Sequence, residues 1–262
     1  MLVFPQLSTG AAVVYPVTKK TNLRTVVNVL GDGSTVVFED PDAARSGWEL
    51  RAAGLTLVEW RAIDTLFGQT YGKWGNFTFL DPAGNLLAQS ESFGNSIWTN
   101  GPLIALTAGV TDPLGTTRAT GAVNSGQTAA AIAQTLNVPG NFQYCLSVWA
   151  QSAAGSRVTL QIGGITKSFT LTGQWQRVVL SGNPGQTGAT TVTFAAQLDA
   201  GGSVELFGMQ AEAQPGPSDY KQTGTSGAVY PQARFDTDQL TATAQGTDVY
   251  DAVIQIVNVA GL

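Results

Sequence analysis

Between Gly84 and Ala213 the sequence carries no helical stripe. Short apolar and β-branched runs recur instead, separated by clusters of Gly, Ser, Thr and Asn: Thr117–Thr120, Thr128–Leu136, Gln143–Ala150, Arg157–Ile162, Ile165–Leu171, Gln174–Leu180, Ala189–Leu198 and Val204–Ala213. Eight short strands at such spacing, with no helix between them, point to an antiparallel sandwich or jelly roll. Gly163-Gly164 between two of the runs reads as a two-residue hairpin turn. Composition agrees, for 12% of the residues are charged, about half the usual share, while Gly numbers 31 and 43% of the chain is hydrophobic. At 262 residues the chain is long enough for about two domains, each with its own core.

Ahead of this block one stretch, Gly54 to Pro82, breaks the all-strand pattern. Thr56 followed by Glu59 is a capping box, in which hydroxyl and carboxylate each satisfy an orphan amide of a first helical turn. Leu57, Trp60, Ile63, Leu66 and Phe67 then make a helical stripe, with Glu59, Arg61 and Asp64 off it. Gly68 is the expected C-cap. After a Gly-rich turn, Asn76–Leu80 alternates as a strand and stops at Asp81-Pro82, where the ladder donor is missing.

The flanks also read as strand. Met1–Pro16, apolar with two prolines, suits an extended arm or a first strand. Thr25–Leu30 and Thr35–Phe38 flank the turn Gly31-Asp32-Gly33-Ser34, a strong hairpin signal, and Trp48–Ala52 alternates briefly. Gln214-Pro215-Gly216-Pro217-Ser218 ends the middle block and Gly224–Gly227 is a turn-rich join. Strands follow at Val229–Pro231, Gln239–Ala244 and Val253–Val259. The last is too apolar to hang free, because ordering it requires a sheet to join. Pairing with the first segment is expected, giving one domain from 1–84 and 223–262 and an inserted one from 85–222.

Chemistry is constrained mostly by what is missing. The net charge of −5, with Lys19 and Lys20 the only adjoining basic residues, argues against nucleic-acid binding, which needs clustered cations. One cysteine, Cys145, and no histidine exclude an intramolecular disulfide, a Cys/His zinc site and the Ser–His–Asp or Cys–His bases. Cys145 lies in a strand-like run, the place of a buried small hydrophobe. Two carboxylates can suffice for glycoside hydrolysis, and Glu39, Asp40 and Asp42, or Asp236 and Asp238, are close in sequence; turn chemistry accounts for both clusters. No phosphate-binding glycine motif occurs. Neither catalysis nor a cofactor is expected, and calcium on Glu91 or Asp219 has no support from spacing. The opening MLVFPQLSTG lacks a basic n-region and a long apolar core, so no signal peptide is expected, and no window is apolar enough for membrane insertion. A sugar site needs an aromatic face to stack on, and the middle block offers Trp98, Trp149 and Trp175, each equally suited to a core.

Trp48-Glu49-Leu50-Arg51, Gly54-Leu55-Thr56, the aromatic helix Trp60–Phe67 and Phe77–Pro82 together resemble the distal-tail and minor-tail proteins of phages. That resemblance, over the first 85 residues or so, implies a tail-ring β-sandwich with one α-helix. It also implies a homo-oligomer, a hexameric ring joining tail tube to tip, hub proteins as further partners, and a place in the virion after assembly in the host cytoplasm. Asn85-Leu86-Leu87, Ser90, Phe93 and Trp98, with Phe207–Glu212, Pro217 and Tyr220, resemble the carbohydrate-binding-module-like jelly rolls appended to tail and spike proteins. The fold class expected is therefore mainly β, an antiparallel jelly roll inserted in the ring domain. The main expectation is a structural tail-tip protein; the alternative is an adhesin binding host polysaccharide. A hydrolase acting on cell-wall polymer through Asp236 and Asp238 ranks last.

Overall fold

The computed structural model describes residues 1–259, and at 41–43 and 259 the backbone alone; the side chain of Asp42 and positions 260–262 lie outside the described residues. In chain order the elements are β1 (Val17–Val29), β2 (Thr35–Thr56), α1 (Leu57–Thr70), β3 (Phe77–Leu80), β4 (Thr99–Asn100), β5 (Ile104–Val110), β6 (Ala119–Asn124) and β7 (Ala130–Leu136). Then come β8 (Tyr144–Gln151), β9 (Arg157–Ile162), β10 (Ile165–Thr170), β11 (Gln176–Gly182), β12 (Val192–Leu198), β13 (Ser203–Glu212), β14 (Val229–Phe235), β15 (Ala242–Gly246) and β16 (Val249–Val259). The protein is mainly β, with three sheets and one helix among the described residues. No described helix is long and apolar enough to cross a membrane. Two compact units divide the chain, one of Met1–Ser8, Ala12–Phe79 and Tyr230–Leu262, the other of Thr9–Ala11 and Leu80–Val229.

In the first unit the strands form one six-stranded sheet in the order β1-β2-β16-β14-β3, with β15 on β16. The closing strand β16 is interior because its apolar residues match those of β2: Ile254 lies opposite Leu50 and Ile256 opposite Trp48, all buried on one face. The helix α1 buries Ile63 and Leu66 against this face. Phe67 meets Phe235 edge-on at 5.1 Å, and Trp60 stacks on Tyr250 at 6.4 Å. The arm Met1–Pro16 contributes one bridge, Val3 to Thr78, and Phe4 and Leu7 to the core.

Thr56 and Glu59 form the capping box. The helix does not stop at Gly68 but runs to Thr70, with Tyr71 as the left-handed cap at φ 51°. Gly68 costs the helix about 1 kcal/mol relative to Ala yet closes nothing. The carbonyls of Gly68 and Phe67 are instead taken by the amides of Tyr71 and Gly72, a two-bond closure that satisfies orphan acceptors. Gly75 then sits against Thr70, where a Cβ would come within 2.9 Å of the Thr70 carbonyl.

The second unit is an antiparallel jelly-roll sandwich of two five-stranded sheets, β10-β9-β12-β7-β4 and β11-β8-β13-β6-β5. Alternation along β8 sends Tyr144, Leu146, Val148 and Ala150 inward, and Tyr144 meets Phe194 of the other sheet edge-on at 5.4 Å. Gly163, at φ 52°, turns β9 into β10. The edge strand β5 falls where the sequence reads as loop, and β6 begins two residues after its expected start. Both lie toward one edge, where one-sided burial leaves a weak apolar period. The two ends of the unit meet through Asp81 N–H to the Ala228 carbonyl, 3.0 Å, and Ala228 N–H to the Asn85 carbonyl, 2.8 Å.

Candidate functional site

The face of sheet β11-β8-β13-β6-β5 turned away from the sandwich core carries Cys145, Ser147, Trp149 and Gln151 of β8, because side chains alternate along a strand. Over one end of it the segment 214–223 returns as a cover. Glu212, fully buried, accepts from the Ser218 amide at 3.1 Å and from Lys221 Nζ at 3.2 Å. Gln210 accepts the Lys221 amide at 2.7 Å, and Arg177 donates to the Ser218 carbonyl at 2.7 Å. Beneath this cover burial, with the Glu212 charge added, pushes the Cys145 thiol up to about 12. The thiolate is the reactive form, so Cys145 is an inert packing residue.

The other end of the face is open. Trp149 stands in register with Phe207 on β13 and Arg177 on β11. Around it a hollow of about 460 Å³ is lined by Trp149, Trp175, Phe207, Tyr220, Leu114, Pro113 and Gln174. Both tryptophans are partly exposed and Phe207 forms a buried floor. None of these seven side chains is charged. Leu114 is 68% exposed and projects from a turn that Asp112 holds rigid, accepting the amides of Leu114 at 2.7 Å and Thr116 at 3.2 Å. Burial raises the Asp112 carboxyl, but those bonds, with the Thr116 hydroxyl, outweigh it and keep the group below its ordinary range.

Tyr220 reaches this wall because β13 bulges between Phe207 and Gln210. Its ring lies on Gly208, which is at φ 64° and where a Cβ would sit 2.9 Å from the ring. Its hydroxyl bonds Ser90 Oγ at 2.7 Å and donates to Glu91 Oε1 at 2.9 Å. Burial raises the phenol pKa, so it stays a neutral donor.

Of the three tryptophans singled out in the sequence, two converge here and one does not. Trp98 is 4% exposed, donates Nε1–H to the Gln89 carbonyl at 3.0 Å and packs edge-on against Phe93. It is core, and no sugar can reach its faces. Among the lining residues not singled out as sugar-stacking candidates in the sequence, Leu114 carries no signal of its own; Phe207 and Tyr220 do, as the aromatics that open and close the second jelly-roll phrase.

Two of the acidic side chains singled out in the sequence have local partners. Asp40 pairs with Arg24 at 2.5 Å on an exposed ladder, and Asp238 accepts the Lys73 amide at 3.0 Å. Glu91 is tied to Arg118 at 3.1 Å and Gln222 at 3.0 Å. Among the described residues no group of three or more His, Cys, Asp or Glu side chains gathers to hold a metal.

In the first unit the surface feature is a ribbon. From Arg24–Val29 paired with Thr35–Asp40, β1 and β2 have no third strand among the described residues. Val27, Val37 and Phe38 are 56%, 60% and 52% exposed.

No protein-family model and no curated protein matches the chain. Among solved structures, it is similar to the enzymatically active domain of tailspike protein 4 of bacteriophage CBA120, at 19% identity and TM-score 0.38, covering 51% of this chain and 22% of that one. It is also similar to the C-terminal family 22 carbohydrate binding module of Clostridium thermocellum Xyn10B, at 15% identity and TM-score 0.40 over 53% and 99% of the two chains. A third likeness is to the CBM22-1 xylan-binding domain of Paenibacillus barcinonensis Xyn10C, at 16% identity and TM-score 0.39 over 50% and 96%.

Proposed function

We propose that the second unit binds a glycan in the aromatic hollow, and that it does so without turning it over. The observation that carries this is the convergence of Trp149, Trp175, Tyr220 and Leu114 around an uncharged hollow open to solvent. Aromatic faces are apolar and electron-rich, and the C–H faces of a pyranose ring are apolar and weakly positive, so the two stack. Gln174 at the rim can both donate to and accept from ring hydroxyls. The paired acids noted in the sequence lie outside the hollow, so the reading is of binding alone. The test is a glycan array and an affinity titration with the full chain, parent against Trp175→Ala. Retention should fall at least tenfold, about 1.4 kcal/mol, with an unchanged unfolding midpoint, because Trp175 is partly exposed. A variant that binds as the parent does, or a parent that retains no glycan, sinks the reading.

A second reading concerns the first unit, as a scaffold whose copies assemble at a phage tail tip. The ribbon supports it: a two-stranded ribbon with both faces wet is marginal by itself, and exposed apolar strands suit a protein that hides them against its own copies. The resemblance of Trp48–Pro82 to distal-tail proteins supports the place in a virion. In this arrangement the first unit assembles and the second displays the glycan site.

A further inference from the structure

Tyr220, Phe207 and Leu114 reach the aromatic hollow from three separate segments: the return 214–223, strand β13 and the turn after Asp112. What joins the three lies outside the lining and is ionic. We infer that Glu91, which does not line the hollow, is its positioning residue. Its carboxylate fixes the Tyr220 wall and, through Arg118, ties that wall to the Phe207 floor and to the Leu114 turn. The inference rests on the glycan reading of the hollow.

Glu91 Oε1 accepts the Tyr220 hydroxyl at 2.9 Å and Arg118 Nη1 at 3.1 Å, while Oε2 accepts Gln222 Nε2 at 3.0 Å. Arg118 carries the connection onward. Its guanidinium lies 5.2 Å from the centre of the Phe207 ring. Its Nε is 3.4 Å from Oδ2 of Asp112, the carboxylate that shapes the Leu114 turn. Glu91 is itself firmly mounted. Its turn is closed by Ser92 N–H to the Gln89 carbonyl at 3.0 Å, and Met209 N–H donates to the Ser90 carbonyl at 3.0 Å, which docks the turn on the bulge of β13.

Residues 214–223 belong to no strand, so Tyr220 keeps its place by what its side chain touches. Its hydroxyl has two partners, Ser90 Oγ at 2.7 Å and Glu91, and only the second is charged. Hydrogen bonds to an ionised acceptor are about twice as strong as neutral ones, and the Glu91 side chain is 8% exposed, so water competes little for it. Two carboxylate oxygens serve three donors here. A glutamine would keep one acceptor oxygen and turn an N–H toward the remaining donors. A wall fixed beforehand need not be ordered when a ring stacks on it, so the carboxylate acts on affinity without touching the sugar.

The experiment compares four full-length chains: the parent, Glu91→Gln, Tyr220→Phe, which keeps the ring and removes the hydroxyl, and the double variant. Each is titrated calorimetrically with cellotetraose, xylotetraose and β-1,4-galactotetraose. Each is also labelled with 3-fluorotyrosine; the chain has six tyrosines, and the fluorine signal absent from Tyr220→Phe is that of Tyr220. Glu91→Gln should shift and broaden this signal. Affinity should fall about three- to tenfold in each single variant, the range for one side chain left to be ordered on binding. The double variant should fall no further than Glu91→Gln alone, whereas a merely structural carboxylate would give losses that multiply. An unmoved fluorine signal, unchanged affinity in Glu91→Gln, or multiplying losses overturns the inference and leaves the glycan reading standing. Should Glu91→Gln not fold, Tyr220→Phe breaks the same bond from its other end, and parent affinity there overturns the inference. A parent that binds none of the three sugars overturns the glycan reading, and the fluorine signal then decides the positioning role alone.

Discussion

Glu59 accepts four hydrogen bonds on one carboxylate. Oε2 takes the amide and hydroxyl of Thr56, each at 2.8 Å, and Oε1 takes the amide and hydroxyl of Ser8 at 2.8 and 2.7 Å. The same group therefore caps α1 and ties the N-terminal arm to it. Partial burial raises its pKa, but the amides of Ser8 and Thr56 and their hydroxyls outweigh that and bring it down from 4.5 to about 2. Because the folded value is the lower one, the carboxylate stabilises the fold fully above pH 4.5, and the contribution is lost as pH falls from 4.5 toward 2. Glu59→Gln keeps one acceptor oxygen and presents an amide where the other stood. It should cost about 1–2 kcal/mol at pH 7, the range for a lost cap. Thermal unfolding at pH 7 and pH 3 checks this: the gap between parent and variant should narrow at the lower pH, and a constant gap would place the cost elsewhere. The three tryptophans teach something else at this scale. Trp98, Trp149 and Trp175 look alike in the sequence, and burial by neighbours from distant segments separates one from the other two.

Among elements, the β1–β2 ribbon shows local propensity at work without tertiary support. Val26 opposite Phe38 and Val27 opposite Val37 are favourable cross-strand pairs, and Gly33 at φ 84° closes the turn. Those pairs set the register, yet they bury almost nothing. If copies of the chain cover the ribbon, replacing Val27, Val37 and Phe38 by Thr should abolish self-association, since Thr keeps β propensity while removing apolar area. Light scattering and electron microscopy give the oligomeric state, and the unfolding midpoint should move little. An equally associated triple variant would locate the contact elsewhere. The helix makes the complementary point. Its start was readable from Thr56 and Glu59, because a capping box is local. Its end was not, because Tyr71 accepts a left-handed conformation only where Gly72 and Gly75 fit against Asp238 and Thr70.

For the whole molecule, the closing strand decides whether the first unit exists. β16 lies between β2 and β14 and supplies Ile254 and Ile256 to the core. Losing two buried isoleucines costs about 2–5 kcal/mol each, against a typical domain stability of 5–15 kcal/mol, and the ladders to both neighbours go with them. A chain ending at Asp248 should leave the first unit unfolded and the second intact. Hydrogen exchange reads this directly, with amides of 48–56 unprotected and those of 144–151 still protected. Protection retained at 48–56 would show that the sheet closes without β16.

Alternation, capping and turn residues act over a few positions, so the sequence alone determined that the chain is mainly β, where its one helix begins, and that its final apolar run had to join a sheet. It also excluded histidine chemistry and an intramolecular disulfide by composition. The aromatic hollow could not be read that way. Pro113 and Leu114, Trp149, Trp175, Phe207 and Tyr220 come from separate stretches, and they meet only because the β8–β13 register, the bulge after Phe207 and the return of 214–223 place them together. Which face a side chain takes, and what covers that face, depends on contacts between residues far apart in the chain, and only the tertiary structure decides them.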